Sequence, residues 1–248
     1  MPEASTPKTA ARFRRALLAW FRRAARDLPW RRTRDPYAVL VSEFMLQQTQ
    51  VSRVMGYYGR FLRRYPSLAH LARARPQAVR EAWEGLGYYR RAVNLHRLAR
   101  EVVRDRDGRL PETPEELRAL PGVGTYTAGA VAAFAHERPV PAVDTNVARV
   151  LERVILGMGG GRGRTAARAR RVQTLAAALQ PRAGRSAWTF NQALMELGAL
   201  VCTARAPRCA ACPVATLCAW NAKAGGAGPL SGRMAPGRRA ATRRRAPA

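Results

Sequence analysis

Acidic residues are scarce in this chain of 248 residues, which holds 16 Asp and Glu against 44 Lys and Arg and has a formal net charge of +28 at pH 7. So large a positive excess indicates a polyanionic partner, and it favours a nucleic acid over the alternative of a merely solvated basic surface. Lysine is nearly absent too, since only Lys8 and Lys223 are lysine. An Arg- and Ala-rich composition also arises from a GC-rich genome, so the inference uses the sign of the charge and not the preference for arginine.

Long apolar runs are missing as well. Residues 1–11 are polar and lack the apolar segment of a signal peptide, and apolar stretches such as residues 128–135 are too short to cross a bilayer. These absences predict a soluble, intracellular protein with no membrane partner. Cysteine occurs only four times, always between residues 202 and 218, which excludes a disulfide framework spread over a secreted fold.

Strand-like alternation is also missing, whereas helical spacing of apolar residues recurs, so we predict an all-α fold. An amphipathic helix is predicted over residues 12–26, and Asp35 followed by Pro36 predicts the start of another helix that continues through Leu46. Thr113-Pro114-Glu115-Glu116 has the pattern of a capping box and predicts the start of a short helix. Residues 1–11 and 223–248 are predicted to be disordered basic tails. Further helices are predicted over residues 51–64, 67–83, 91–104, 125–135, 146–156, 165–180 and 186–201.

Two loops with glycines one residue apart each precede a helix. In Gly122-Val123-Gly124 the glycines permit a tight turn, and the following helix presents unpaired N–H groups to an anion. In Gly85-Leu86-Gly87 the loop continues into Tyr88 and Tyr89 and then two arginines, a combination suited to stacking on bases. A single tyrosine would be interpreted as a core residue, but this cluster favours DNA.

Two carboxylates are candidates for chemistry. Glu43 lies on an otherwise apolar helix face, where burial would disfavour its charged form and let it hold a proton near neutral pH. The alternative, equally open from the spacing, is a carboxylate at the rim of that face paired with an arginine. Asp144 follows two prolines in a chain poor in acid. The helix over 125–135 is interpreted as a spacer of roughly 16 Å between the glycine hairpin and Asp144.

The four cysteines have the spacing Cys202-x6-Cys209-x2-Cys212-x5-Cys218. Four thiolates within 17 residues are able to bind zinc or an iron–sulfur cluster. A zinc ribbon usually has two C-x2-C pairs and this chain has one, but the spacing alone leaves the metal open.

Leu120-Pro121-Gly122-Val123-Gly124 together with Asp144 resembles the helix–hairpin–helix and Gly/Pro…Asp signature of the endonuclease III superfamily of DNA base-excision glycosylases, and the cysteine spacing is similar to its [4Fe–4S] loop. The resemblance spans residues 12–220. It implies a six-helix barrel over residues 36–141 and a cluster lobe made of residues 12–35 and 142–222, with DNA in the cleft between them. It also implies a monomer that acts on double-stranded DNA containing a mispair, in the prokaryotic cytoplasm at the nucleoid.

Within that superfamily the chain most resembles the MutY-type adenine DNA glycosylases. Where endonuclease III has its nucleophilic lysine, this chain has Tyr126, so the resemblance implies base removal without efficient strand cleavage. The matching stretches are Leu28-Pro29-Trp30, residues 42–50, Gly85-Leu86-Gly87-Tyr88-Tyr89, Asn94-Leu95-His96 and Phe190-Asn191-Gln192.

The resemblance assigns roles to single residues. Glu43 would protonate adenine, Asp144 would stabilise the cationic sugar, and Tyr126 and Asn146 would position Asp144 and the sugar. The residues implied to line a pocket for the flipped adenine are Arg26, Trp30, Arg31, Leu46 and Gln192. The residues implied to contact DNA or the opposite base are Gln48, Thr49, Leu86, Tyr88 and the hairpin Gly122-Val123-Gly124.

The chain departs from the MutY pattern in one respect, because it stops soon after the cysteines, where MutY-type proteins continue into a Nudix-like domain that checks for 8-oxoguanine. We therefore expect weakened recognition of 8-oxoguanine. Two alternatives stay open: a mismatch thymine/uracil glycosylase of the same superfamily, which also has tyrosine at position 126, and a non-catalytic protein that binds mispairs.

Overall fold

The structure, a computed structural model, describes residues 7–159 and 165–223. These residues form α-helices joined by turns and short 3₁₀ segments and contain no β-strand, which confirms the all-α prediction. None of these helices is long and apolar enough to cross a membrane. The helices are α1 Pro7–Ala24, α2 Pro36–Leu46, α3 Val51–Arg64, α4 Leu68–Arg73, α5 Pro76–Ala82, α6 Arg90–Asp105, α7 Pro114–Arg118, α8 Thr125–Phe134, α9 Thr145–Val154, α10 Ala166–Leu179, α11 Gly184–Leu200 and α12 Ala219–Lys223.

Short polar side chains begin several helices where the sequence predicts it. The Asp35 carboxylate accepts from the Tyr37 N–H at 2.9 Å ahead of Pro36, and the Thr113 hydroxyl accepts from the Glu116 N–H at 3.3 Å ahead of Pro114. Each cap satisfies an N–H that would otherwise lack a partner in the first turn. These boundaries are local properties of the chain, which is why the sequence locates them.

Two predicted boundaries were wrong. The helix predicted over residues 67–83 is two helices, because Pro76 has no N–H to continue α4 and Arg75 takes an extended conformation before it. The first helix begins at Pro7, so residues 7–11 are not part of a tail. Lys223, predicted as the first residue of the second tail, is the last residue of α12. The remaining predicted tail residues, 1–6 and 224–248, lie outside the described residues.

The buried side chains form two hydrophobic clusters. One joins α2 to α8 around Trp83, Phe44 and Phe61, and the other joins α1, α9, α10 and α11 around Phe13 and Phe190. The side chains of Leu28 and Trp30 belong to the first cluster, although the family resemblance places residues 12–35 in the second lobe. Met195 of α11 packs against both clusters, so the seam between them runs beside this helix.

The chain turns back on itself after α8. The Arg138 N–H donates to the Ala132 carbonyl at 3.0 Å, and a Cβ placed on Gly129 would lie 2.6 Å from the Pro141 carbonyl oxygen. The segment after α8 therefore runs antiparallel along this helix, with backbone against backbone at Gly129. It returns Asp144 toward the start of α8, so the interpretation of the helix as a spacer was wrong.

Candidate active site

Glu43 lies in the second half of α2 and is 4% exposed. Burial raises the pKa of Glu43; a hydrogen bond from Tyr126 lowers it, the charge of Asp144 raises it further, and the result is about 7. Among residues 7–159 and 165–223, its Oε2 atom has no hydrogen-bond partner. The interpretation of Glu43 as a rim carboxylate paired with an arginine was therefore wrong, and the buried, protonatable carboxyl is the correct one.

Asp144 is the N-cap of α9 and both of its carboxylate oxygens are occupied. Oδ1 accepts from the Val147 N–H at 2.7 Å, and Oδ2 accepts from Nδ2 of Asn146 at 2.9 Å. The two donors and the positive end of the helix complement a negative charge and hold the carboxylate in one orientation. Asp144 is thus presented to the cavity by the helix that it caps.

The side chain of Asn146 is oriented by a residue that the sequence did not point to. Arg149 donates from Nη2 to Oδ1 of Asn146 at 2.9 Å, and from Nε to the carbonyl of Cys202 at 2.8 Å. A Cβ placed on Gly198 would lie 2.7 Å from Cβ of Asn146, so α11 approaches here as closely as glycine permits. A chain of hydrogen bonds therefore runs from Asp144 to the cysteine loop.

A cavity of about 590 Å³ joins these groups, a volume within the usual range for small-molecule sites. Tyr126 lies in its wall, and burial, followed by the charges of Glu43 and Asp144, raises the pKa of its hydroxyl. Gln48 and Thr49 lie at the same cavity. The predicted catalytic and pocket residues in its lining are Glu43, Asp144, Tyr126, Asn146, Arg26, Trp30, Arg31, Leu46 and Gln192.

The pocket side of this cavity depends on Glu196, a second residue that the sequence did not point to. Its side chain is fully buried, and Arg26 and Arg31 each donate to it at 2.8 Å. Burial raises the pKa of Glu196, but the hydrogen bonds from the two arginines outweigh it and lower the pKa to about 2. Arg31 also donates to the side-chain oxygen of Gln192 at 2.7 Å. One ionised carboxylate therefore fixes three pocket residues, and its only trace in the sequence is an acid within an apolar helix.

Gln48 and Tyr88 occupy the left-handed region of backbone space, with φ of 55° and 47°. Tyr88 is 60% exposed, as a contact with DNA requires. Leu86 is 2% exposed and its side chain packs in the first hydrophobic cluster, while its carbonyl accepts from Nη2 of Arg91 at 3.1 Å. The contact of Leu86 with DNA stays a prediction, and it is not one that the buried side chain makes. The side chain of Leu86 is buried, although its residue lies in a loop between two glycines, because removing apolar surface from water is favourable.

The glycine hairpin has the predicted shape. Gly122 has φ of 77°, and a Cβ there would lie 2.7 Å from Cβ of Asn94, so only glycine fits. The Val123 N–H donates to the Leu120 carbonyl at 3.2 Å within the turn. Gly124 is the N-cap of α8, and no side chain caps this helix. The first N–H groups of α8 are the donors suited to an anion.

The four cysteines line one cavity together with Arg153 and Trp220. Burial raises the pKa of the Cys212 thiol to about 11, and Nη1 of Arg153 lies 3.4 Å from Sγ of Cys202. Among the described residues no three His, Cys, Asp or Glu side chains converge on a site for a single ion. Four soft sulfur donors around one cavity, beside a buried guanidinium, fit an iron–sulfur cluster, which is larger than one ion and is held by thiolates.

Two family profiles match the chain. Residues 41–172 match that of the HhH-GPD superfamily base excision DNA repair proteins, and residues 202–218 match the iron-sulfur binding domain of endonuclease III.

Three relatives show how the similarity is distributed. The adenine DNA glycosylase of Mycolicibacterium smegmatis is 45% identical over 219 residues, which is 88% of this chain and 72% of the relative. That of Homo sapiens is 46% identical over 215 residues, 83% of this chain and 39% of the relative. The thymine/uracil-DNA glycosylase of Pyrobaculum aerophilum is 39% identical over 206 residues, 82% of this chain and 89% of the relative.

Solved structures share the fold. A thermostable thymine-DNA glycosylase superposes with a TM-score of 0.80 at 31% identity and covers 89% of this chain and 100% of its own. Endonuclease III in a non-covalent complex with DNA superposes with a TM-score of 0.72 at 22% identity over 90% of this chain and 99% of its own, which indicates a common fold.

Proposed function

The chain belongs to the HhH-GPD superfamily of base excision DNA repair proteins and is a DNA glycosylase with an iron–sulfur domain, and on that premise we propose that it removes adenine mispaired with guanine or 8-oxoguanine. The observation that carries the proposal is the single cavity lined by a buried Glu43, whose pKa is about 7, and by Asp144. The adenine glycosylases of M. smegmatis and Homo sapiens, at 45% and 46% identity, support adenine as the excised base.

Glu43 acts as the general acid. Unprotonated adenine is a poor leaving group, and a carboxyl with a pKa of about 7 is still protonated in a large fraction of the molecules at neutral pH. Burial is what raises the pKa of Glu43. A flipped base that closes the cavity keeps water away from this carboxyl, so its pKa stays raised.

Asp144 stabilises the positive sugar that remains. Val147 and Asn146 hold its two oxygens, so the carboxylate does not reorganise when the charge develops. Two carboxyl groups at one glycosidic bond, one as acid and one as stabiliser of the cation, follow the general logic of glycoside hydrolysis. Tyr126 has no amine, so no Schiff base forms with the sugar and the strand stays intact.

Duplex DNA lies across α8 and the loops of Gln48 and Tyr88, and the endonuclease III complex with DNA, which shares the fold, supports this placement. Cys202, Cys209, Cys212 and Cys218 hold a [4Fe–4S] cluster. When bound, the cluster supplies a rigid anchor for the loop between the cysteines. We infer a monomer that works at the nucleoid.

A panel of duplexes tests the proposal. We expect single-turnover release of adenine opposite guanine and 8-oxoguanine, with strand breakage only after alkali, and a rate that falls as the pH rises through about 7 because Glu43 loses its proton. Glu43→Gln should lower the rate by about 100-fold or more, because a general acid contributes on that scale. Glu115→Gln, the same change at an exposed position of α7, is the control and should leave the rate unaltered.

The same panel of duplexes also tests the second candidate function, that of a thymine/uracil glycosylase. The observation that favours it is the P. aerophilum relative, 89% of whose length is matched at 39% identity. Release of thymine or uracil opposite guanine without release of adenine would establish it in place of the first. Tight binding to mispairs without release of any base would identify the chain as a binding protein.

A further inference from the structure

Arg91, in the first turn of α6, is 7% exposed, and its guanidinium has seven acceptor atoms within hydrogen-bonding distance, so its five N–H groups are shared among them. None of these acceptors is a carboxylate. They belong to three stretches: the carbonyls of Phe44, Met45 and Gln47 at the end of α2, the hydroxyl of Thr49, and the carbonyls of Leu86, Gly87 and Tyr88.

The acceptors lie at the two strained turns of the molecule's DNA-facing loops. The Gln47 and Gly87 carbonyls, at 2.5 and 2.9 Å from Arg91, directly precede Gln48 and Tyr88, the residues in the left-handed backbone region. A residue other than glycine persists there only where its surroundings hold it. One guanidinium therefore holds both turns.

The same bonds reach the helix that carries the proposed acid. The carbonyls of Phe44 and Met45, at 3.0 and 2.8 Å from Arg91, belong to the two residues that follow Glu43. Gln48 lines the catalytic cavity and also a neighbouring cavity of about 410 Å³, where Tyr88 and Arg91 lie as well. A displacement of either loop is thus transmitted to Glu43 through one side chain.

We propose that Arg91 is a positioning residue that sets Gln48 and Tyr88 against the base opposite the excised one and makes the placement of Glu43 depend on them. The inference rests on the proposed function and extends it by naming the side chain that links recognition of the opposite base to catalysis. Arginine suits this role because its planar guanidinium carries five donors spread over two sides, whereas the three donors of lysine diverge from one atom.

The test compares Arg91→Lys, which keeps the charge, with Arg91→Met, which removes it, and uses Arg90→Met as the control for charge, since Arg90 is the exposed neighbour on the same turn. Single-turnover adenine release is measured opposite guanine and opposite cytosine. Backbone amide exchange is measured in the free proteins over residues 47–49 and 86–89.

Arg91→Lys should lower release opposite guanine by about tenfold to 100-fold, the scale of a small misplacement of reacting groups, and should bring the guanine-to-cytosine ratio of rates toward one. Amide exchange should accelerate in both loops, while the rest of the barrel core stays protected. Arg90→Met should weaken binding to every duplex alike and leave the ratio and the exchange unaltered.

An unchanged ratio and unchanged exchange in a folded Arg91→Lys protein would overturn the inference, whether or not the Arg91→Met protein folds. Backbone amide exchange is measured in the protein without DNA, so its result does not depend on whether the protein releases adenine. If no duplex loses adenine but amide exchange accelerates in the two loops of Arg91→Lys, the proposed substrate is wrong, and the role of Arg91 as a positioning residue for the loops is supported.

Discussion

At the scale of single residues, the site depends on two carboxyls that burial treats in opposite ways. Burial raises the pKa of Glu43 to about 7, and no arginine or lysine of the described residues pairs with it, whereas Glu196, which is also buried, is held by Arg26 and Arg31 and has a pKa of about 2. The protein environment therefore turns one glutamate into a proton donor and the other into a permanent anion. The anion organises the pocket, and the acid remains free to react.

The raised pKa of Glu43 predicts how stability depends on pH. The unfolded carboxyl ionises at its ordinary pKa of 4.5 and the folded one at about 7, so the folded state binds the extra proton and stability falls as the pH rises from about 4.5 to 7. Glu43→Gln removes this dependence, worth about 2–3 kcal/mol across that window. Urea titrations of both proteins at pH 4.5 and pH 8 measure it, and equal pH dependence in the two proteins would contradict the assigned pKa.

At the scale of elements, α8 is the helix around which the site is assembled. Eight of its ten residues are buried, no side chain caps its first N–H groups, and its Tyr126 lies in the cavity wall. The returning segment packs against its middle at Gly129 and brings Asp144 back to Tyr126. The position of Asp144 therefore depends on how closely this segment approaches α8.

That approach predicts the effect of Gly129→Ala. Alanine normally stabilises a helix interior by about 0.5–1 kcal/mol relative to glycine, but here its Cβ would lie 2.6 Å from the Pro141 carbonyl oxygen. We expect a net loss of about 1–3 kcal/mol and slower base release, because the segment that carries Asp144 must move.

The matched control is Gly56→Ala in α3, where a Cβ meets nothing within 4 Å and the usual gain in stability should appear. Thermal unfolding and single-turnover rates measure both effects. A Gly129→Ala protein as stable and as active as Gly56→Ala would show that the contact with Pro141 does not position Asp144.

At the scale of the whole molecule, two hydrophobic clusters meet at a seam beside the cavity that Glu43 and Asp144 line, and the chain carries a net charge of +28. Glu43 comes from one cluster's helices, and Asp144 caps a helix of the other. The distance between the two carboxyls therefore depends on how the two clusters pack against each other.

The charge predicts a steep dependence of DNA binding on salt. If about six phosphates are neutralised, the association constant should fall by about 1,000-fold between 50 and 200 mM salt. Preference for a mispaired over a matched duplex should change much less, because base contacts release no counterions. Fluorescence anisotropy over a salt series checks both statements, and affinity that is insensitive to salt would exclude the proposed phosphate contacts.

Local chemistry allowed the sequence alone to determine a large part of this protein. The starts of α2 and α7 follow from Asp35-Pro36 and Thr113-Pro114, the hairpin follows from Gly122, and the sulfur donors follow from four cysteines within 17 residues. In each case the residues that interact are close together in the chain, so the amino-acid order is enough to predict the local structure.

Only the tertiary structure decided the rest, because it depends on what covers each residue. Helical spacing places Glu43 on an apolar face but does not show which side chains lie opposite, and Asp144 follows it 101 positions later in the chain. Arg26 and Glu196 lie 170 residues apart, and Leu86, a loop residue by sequence, proved to be core. Proximity and burial, which set the pKa of a carboxyl, are properties of the packed chain and not of its order.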